Sequence, residues 1–417
     1  MIDYPNKLNN LFDKLLNLNI NPIIIGGYVR DFLLKIKSKD IDIELYGISS
    51  FSKLEEILNE FGDVNSVGKS FGVCKLRVDD LDLDFSFPRI DSKIDKGHKG
   101  FEIKIDPKLD FKTAASRRDF TINAIGYDVQ TKKILDPFNG REDLGNKILR
   151  AVDIEKFQDD PLRVLRAVQF SARFNLSVDN ELFLICEKMV SSSLLNELPK
   201  ERIFIEIKKL LLKSSSPSLG LILLKSLGGF NFIEEFKSLS SSDLNAVLKS
   251  IDKMASIKTT NDTTNTVLML ALLCYKFSLK NSESFLLKLT NDKSLTARVL
   301  SLTQHQKSIN FNSFIDYDIY LLATNVKVEE FVLIHIATAE SDLELKNIDK
   351  LKSRAKELGV LNMQAKAILL GKDILNLGIK PSKEFSKILD RAYLAQIRGN
   401  FKTKEEALLW LKKSCSL

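Results

Sequence analysis

The chain has 417 residues, 44% of them hydrophobic and 28% charged, with a formal net charge of +7. That length exceeds one compact core and predicts two to four domains of ordinary globular composition. No run reaches the roughly 18 uncharged apolar residues of a membrane span, and residues 1–5 lack the basic-then-apolar pattern of a secretory signal, so a cytoplasmic protein with no membrane partner is expected. Four scattered cysteines, Cys74, Cys186, Cys274 and Cys415, predict reduced thiols, with neither a zinc ribbon nor a disulfide framework. The three histidines, His98, His305 and His335, are not paired at helical spacing and none precedes an aspartate, which argues against a histidine-based metal hydrolase. The mildly basic balance favours a polyanionic partner.

Residues 5–20 predict a helix with Leu8, Leu11, Phe12, Leu15 and Leu18 on one face. The run Ile23, Ile24, Ile25 is a short strand stopped by Gly26 and Gly27, and a second helix then runs from Tyr28 to about Leu34. A strand, a glycine turn and a helix start together make a phosphate cradle, because glycine lets backbone N–H groups approach oxygens and the helix N-terminus is positive. Arg30, in the first turn, adds a forked donor for a phosphate. Residues 40–45 alternate strictly, with Asp40, Asp42 and Glu44 on one strand face and Ile41, Ile43 and Leu45 on the other. Carboxylates stacked on one face repel unless solvent or a cation relieves them. A solvated edge strand is one reading; the other is a Mg²⁺ site held by Asp40 and Asp42, and a cradle just upstream favours it.

Gly26-Gly27-x-Val29-Arg30-Asp31 followed by Asp40-x-Asp42 resembles the signature of the polymerase-β-like nucleotidyltransferases. More narrowly it resembles the class II tRNA nucleotidyltransferases (CCA-adding enzymes) and the bacterial poly(A) polymerases. The resemblance implies an α+β fold: a nucleotidyltransferase head with a small mixed sheet, then an all-α neck, body and tail, at residues 1–145, 146–215, 216–350 and 351–417.

Further along, residues 51–61 predict a helix, and strands at about 71–78 and 81–87 flank a turn at Asp79-Asp80. Asp82, Asp84 and Ser86 share a face there. Asp84 is either part of a solvated hairpin or a third carboxylate facing Asp40 and Asp42. The polar stretch 89–100, with His98, predicts a mobile loop and resembles the flexible loop of CCA-adding enzymes. Residues 114–124 contain Arg117-Arg118-Asp119-Phe120-Thr121-Ile122-Asn123-Ala124, which resembles a family motif residue for residue. Two guanidiniums beside a carboxylate near a helix start suit a triphosphate and ribose clamp, so Arg117, Arg118, Asp119 and Asn123 join the candidate nucleotide-binding set with Gly26, Gly27 and Arg30. Residues 135–144 resemble the family's exit from the head.

Asp160-Pro161 predicts a helix start, with Asp160 at the N-cap, Arg163 and Arg166 on one face and Leu162, Leu165 and Val168 on another. By themselves these are a cap and two solvated arginines. By resemblance, Asp160 and Arg163 act as a protein template for the incoming base, supported by Arg166, and Asp159 stands where the family usually has Glu. A carboxylate accepts from the amino group that cytosine and adenine share, and a guanidinium donates to ring acceptors. Residues 199–210 predict the next neck helix, with Glu201 and Arg202 either bracing the base pocket or forming a surface ion pair. After the Ser214–Ser218 break only helices are expected. Residues 220–350 carry no motif, and their lysines suit RNA phosphates or plain solvation. Residues 371–381 and 399–407 resemble the tail of bacterial tRNA nucleotidyltransferases. Lys372, Lys380 and Lys383 are placed to clamp tRNA there, and Trp410 is expected in the core.

The whole predicts addition of CCA to the 3′ end of tRNA from CTP and ATP, with Mg²⁺. A CC-only or A-only enzyme and a poly(A) polymerase share that chemistry. From a different class, an RNA-binding protein that has lost catalysis on the same fold is the alternative.

Overall fold

The computed structural model describes residues 2–65, 72–93, 101–376 and 383–414. Contacts divide the chain into two compact units, residues 1–232 and 233–417.

The first unit opens with a 3₁₀ turn over Asn6–Leu8 and helix α1 (Asn9–Asn17), so the long initial helix predicted from sequence is split and shorter. Leu8, Leu11, Phe12 and Leu15 are buried as expected, but Leu18 follows the helix end and is exposed. Strand β1 (Asn21–Ile25), α2 (Gly27–Leu33), β2 (Asp40–Tyr46), α3 (Phe51–Leu58), β3 (Asp63–Asn65), β4 (Val73–Val78) and β5 (Leu81–Ser86) follow. Next come β6 (Arg89–Lys93), β7 (Phe101–Ile105), α4 (Phe111–Ala115), β8 (Gly126–Asp128), β9 (Lys133–Leu135) and α5 (Gly140–Gly145). Seven strands form one mixed sheet in the order β3-β4-β5-β2-β1-β8-β9. The period-two pattern of β2 buries Ile41, Ile43 and Leu45 completely, which fixes the register because a one-residue slip would bury Asp42 instead. β6 and β7 pair as a separate ribbon, so part of the expected loop at 89–100 is strand; residues 94–100, with His98, lie outside the described residues.

The same unit continues with β10 (Ile148–Leu149), α6 (Ile154–Phe157), α7 (Leu162–Phe174), β11 (Ser177–Val178), α8 (Asn180–Ser191), α9 (Lys200–Lys213) and α10 (Pro217–Ser226). α7 packs on both α9 and α10. A Cβ at Gly220 would lie 2.5 Å from Leu210 Cδ1 and 3.1 Å from the Val168 carbonyl, so only glycine permits this approach. That contact keeps α10 with the neck, and the division falls at Phe232 rather than at the serine-rich break.

The described residues of the second unit are helical: α11 (Ser241–Ser256), α12 (Asp262–Leu273), α13 (Leu279–Leu289), α14 (Lys293–His305), α15 (Asp316–Asn325), α16 (Val328–Thr338), α17 (Asp342–Glu357), α18 (Gly371–Leu375), α19 (Lys383–Ile397) and α20 (Lys404–Ser414). α12 is buried on every side from Asn265 to Leu273, as expected of a helix that is apolar all round. The last helices have their own core around Ile374, Ala392, Phe401 and Leu411, against which Trp410 packs. Lys372 is exposed, and Lys380 and Cys415 lie outside the described residues.

On α16, His335 touches the rings of Phe311 and Phe331, with centroids 4.7 and 4.3 Å away, and its Nε2 has no hydrogen-bond partner among the described residues. Burial pushes its imidazole from 6.5 down to about 4. Below pH about 6.5 the unfolded chain takes up a proton that the folded chain refuses until about pH 4, so stability falls as pH falls through that window. Unfolding midpoints measured across it should drop more steeply for the parent chain than for His335→Leu.

Candidate active site

The site begins where β1 ends. Gly26 has φ +65° and ψ −122°, a backbone conformation that L side chains rarely adopt. A Cβ there would stand 3.0 Å from Arg118 Nη1, 3.7 Å from the Asn123 carbonyl oxygen and 3.9 Å from Asp42 Oδ2. Thus a bare glycine backbone, a guanidinium and a carboxylate meet at one point, although their positions in the chain are 26, 118 and 42. α2 starts at Gly27, and no side chain caps it at Gly26. Its first-turn N–H groups leave a positive end of the kind that accepts anionic oxygens.

β2 presents its carboxylates at the same edge. Asp40 and Asp42 are exposed, and Asp42 lies in register with Asp84 on the parallel neighbour β5. The crowded protein around the Asp42 carboxyl pushes its pKa up, with Asp84 and Asp40 adding to the rise and Arg118 opposing it. Hard oxygen donors on one face are the chemistry that suits a hard divalent cation. The expected third carboxylate is otherwise engaged. Lys75 Nζ donates to both oxygens of Asp84, at 2.9 and 2.7 Å. No group of three or more His, Cys, Asp or Glu side chains able to hold a metal is present among the described residues. Glu44, which shares the face in sequence, is buried instead: its Oε1 accepts from Arg117 Nη2 at 2.9 Å and its Oε2 from the Tyr46 hydroxyl at 2.7 Å. Burial alone would raise its pKa, but Arg118 and Arg117 outweigh burial and hold it below the usual glutamate value.

Three residues predicted to touch the nucleotide turn inward. Arg30 is 4% exposed and is not a free phosphate donor. Its Nε and Nη2 donate to Asp31 Oδ1 at 2.9 and 2.6 Å, and its Nη1 donates to Asn123 Oδ1 at 2.5 Å. Asn123 Nδ2 donates to Asp119 Oδ1 at 3.0 Å, and Arg166 Nε donates to Asp119 Oδ2 at 2.6 Å. Asp119 and Asn123 are buried as well, so they brace the site from behind rather than line it. Burial pushes the Asp119 pKa up, but Arg166 and Asn123 more than reverse this. Removing one member of such a buried set strands a charge, at a cost of about 3–5 kcal/mol.

The neck contributes the far side. α7 starts one residue later than expected, with Pro161 rather than Asp160 at its N-cap; Asp160 still accepts from Leu162 N at 3.1 Å, and it pairs with Arg202 Nη2 at 2.9 Å. Arg163 donates to the carbonyls of Lys156 and Arg117, at 2.8 and 2.9 Å. Asp160 and Arg163 thus belong to one helix start, but each is held by other partners. Arg166 also approaches Glu206 Oε1 at 3.8 Å. Glu206, Tyr46 and Lys75 carried no sequence signal of their own. Lys75 alone was reachable, since a two-residue turn at Asp79-Asp80 sets it opposite Asp84.

The family described as Poly A polymerase head domain matches residues 23–150, and the one described as Probable RNA and SrmB-binding site of polymerase A matches residues 175–239. A "Multifunctional CCA protein" of Haemophilus ducreyi is 35% identical over 191 residues, 45% of this chain and 44% of its own length. A "CCA-adding enzyme" of Francisella tularensis subsp. tularensis is 34% identical over 213 residues, 50% of this chain and 56% of its own length. The matched stretch thus spans about half of those two relatives. A "CCA-adding enzyme" of Staphylococcus epidermidis is 25% identical over 410 residues, 96% of each chain. Among solved structures, the Bacillus stearothermophilus CCA-adding enzyme in complex with CTP superposes with a TM-score of 0.76 at 18% identity, covering 99% of this chain and 98% of that one. At that identity the likeness speaks for the fold, a mixed-sheet head followed by helices. Both matched segments, the signature residues and the fold agree in one likeness: the chain carries a Poly A polymerase head domain at residues 23–150 and is similar along its length to CCA-adding enzymes.

Proposed function

We propose that the chain adds CCA to the 3′ end of tRNA from CTP and ATP and releases pyrophosphate. The observation that carries this reading is the meeting of the Gly26 backbone, Arg118 and Asp42 at the mouth of the cradle. Residues 1–145 are then the catalytic head, 146–232 a neck that selects the base, 233–350 an RNA-binding body and 351–417 a tRNA-binding tail, the neck running past the expected boundary at 215 because α10 packs with it. Supporting it, solved structures of similar fold include a CCA-adding enzyme with ATP, one with CTP, and the Thermotoga maritima CCA-adding enzyme complexed with tRNA. No helix among the described residues is long and apolar enough to cross a membrane, which is compatible with work in the cytoplasm.

In this mechanism the triphosphate lies against Gly26 and Gly27, with Arg118 and Arg117 as its cations. Asp40 and Asp42 would hold Mg²⁺, with the charge of Asp84 next to them. An ion held there would supply the positive charge that favours deprotonation of the RNA 3′-hydroxyl and offsets that of the departing pyrophosphate. Asp160 accepts from the amino group of cytosine or adenine, and Arg163 donates to the ring acceptors. Uracil and guanine offer a carbonyl and an N–H instead, which leaves both groups mispaired. Arg30, Asp119, Asn123 and Arg166 hold these parts in place.

Transcripts of tRNA ending before CCA, after CC, or whole, incubated with each labelled NTP and Mg²⁺ and read on a sequencing gel, test the reading. CMP, CMP and AMP should be added in turn and then stop. Stopping at CC, adding only A, extending a run of A, or no incorporation identifies the partial enzymes, the poly(A) polymerase and the non-catalytic protein respectively.

A further inference from the structure

α2 has only seven residues, too few to hold its own shape or direction in water. Its orientation, and with it the glycine cradle, must be imposed by what packs on it. The contacts that do so form a closed circuit on α7. Arg166, Phe170 and Arg173 lie at spacings of four and three, one stripe of that helix. The circuit leaves α7 at Arg166 and passes through Asp119, Asn123 and Arg30 to Asp31. It returns to α7 where Asp31 Oδ2 faces Arg173 Nη2 at 3.7 Å. Inside it the Arg30 guanidinium lies over the rings of Phe174 and Phe170, 4.5 and 5.2 Å from their centroids. Arg30 N also donates to the Gly26 carbonyl at 3.1 Å, which ties the circuit to the turn that receives phosphate.

We infer that Arg173 and Phe174, acting through Asp31 and Arg30, are positioning residues that fix the phosphate cradle against the base-selecting helix. This rests on the nucleotidyltransferase reading. α7 carries Arg163 and Arg166 at one end and Arg173 at the other, so the distance between the phosphate and base subsites is set by a single rigid element. The Arg173 side chain is 25% exposed, so the ion pair itself is partly screened and adds little to folding. What it controls is the direction of α2.

The test compares the full-length parent chain with Arg173→Ala, Arg173→Lys and Phe174→Leu, with CTP and ATP incorporation on tRNA transcripts as the readout. For Arg173→Ala, KM for both nucleotides should rise about 10-fold, since a small misplacement of a binding group is costly. kcat should change by less than about 3-fold, as expected when uniform binding is lost. The unfolding midpoint should stay near the parent value, and Arg173→Lys should recover most of the KM. Phe174→Leu should raise KM in the same sense. An unchanged KM in Arg173→Ala overturns the inference. So does a KM rise that Lys does not rescue and that accompanies a lower unfolding midpoint, because that is a merely structural role. Equilibrium dialysis with CTP separates the two readings. A parent chain that binds CTP without incorporating it refutes the proposed function, while its dissociation constant against that of Arg173→Ala still decides the positioning role. A parent chain that does not bind CTP refutes both.

Discussion

Asp42→Ala is expected to abolish nucleotide incorporation while leaving the protein folded and no less stable. The residue is exposed on β2, so no packed side chain is lost. Its carboxyl is held above the usual aspartate pKa by the protein crowded around it and by Asp84 and Asp40, against the pull of Arg118, which means that ionising it already costs the folded state free energy. Removing the charge should therefore leave the unfolding midpoint unchanged or slightly higher. Activity should move the opposite way. A metal that stabilises the developing charge of phosphoryl transfer contributes several kcal/mol, so losing one of its two carboxylates should cost at least about 10³-fold in kcat. Labelled CMP incorporation and a melting curve on the same preparation measure both sides. Turnover near the parent level would take Asp42 out of the metal site. Lost activity together with lost folding would make it a structural residue.

That Asp42 lies on the open face of β2 was legible in the sequence. The alternation of Asp40, Ile41, Asp42 and Ile43 specifies a half-exposed strand because the side-chain period of a strand is two, and the glycine pair specifies a turn into a helix. The neck helices were equally readable from Asp160-Pro161 and the apolar stripe of α9. What could not be read was the direction of the arginines. Arg30 stands at the start of a helix beside a phosphate cradle, and by local chemistry it belongs to the phosphate. It turns away because Asn123, Phe170 and Phe174, far along the chain, offer it an acceptor and two aromatic faces. Glu44 is a parallel case: the strand pattern puts it with the exposed acids, yet Arg117 covers it and makes it a buried partner. Local periodicity determines which face a side chain starts from. Only the tertiary partner determines whether that face is solvent, substrate or core. The division at Phe232 was hidden for the same reason, since the fit of Gly220 against Leu210 is a contact between helices and leaves no trace in composition.

Arg163→Ala should release the choice of base. The guanidinium bridges two main-chain carbonyls, one from Lys156 at 2.8 Å and one from Arg117 at 2.9 Å, and its Cζ lies 5.9 Å from the centre of the Phe157 ring. A donor plane held by two carbonyls cannot rotate to suit a base with the opposite pattern, and this rigidity is what a protein template needs. Asp160 is fixed in the same way by Leu162 N and Arg202, so the acceptor and the donor have separate supports. Loss of Arg163 should therefore leave Asp160 in place, and the partly exposed carbonyls can turn to water at a cost of about 1 kcal/mol. A site that pairs with a base on buried polar groups rejects the wrong partner by roughly 10⁴-fold. With the donor gone, UTP should gain about 10²-fold against CTP, because half of the mispairing penalty disappears. CTP itself should lose about 10-fold in kcat/KM, the equivalent of one hydrogen bond. Competition between labelled UTP and CTP on transcripts lacking CCA measures the ratio directly. Unchanged selection of C and A would remove Arg163 from the template and leave it as the brace that ties α7 to the Arg117 carbonyl. A loosened choice with intact folding would establish that the same two carbonyl contacts serve both purposes.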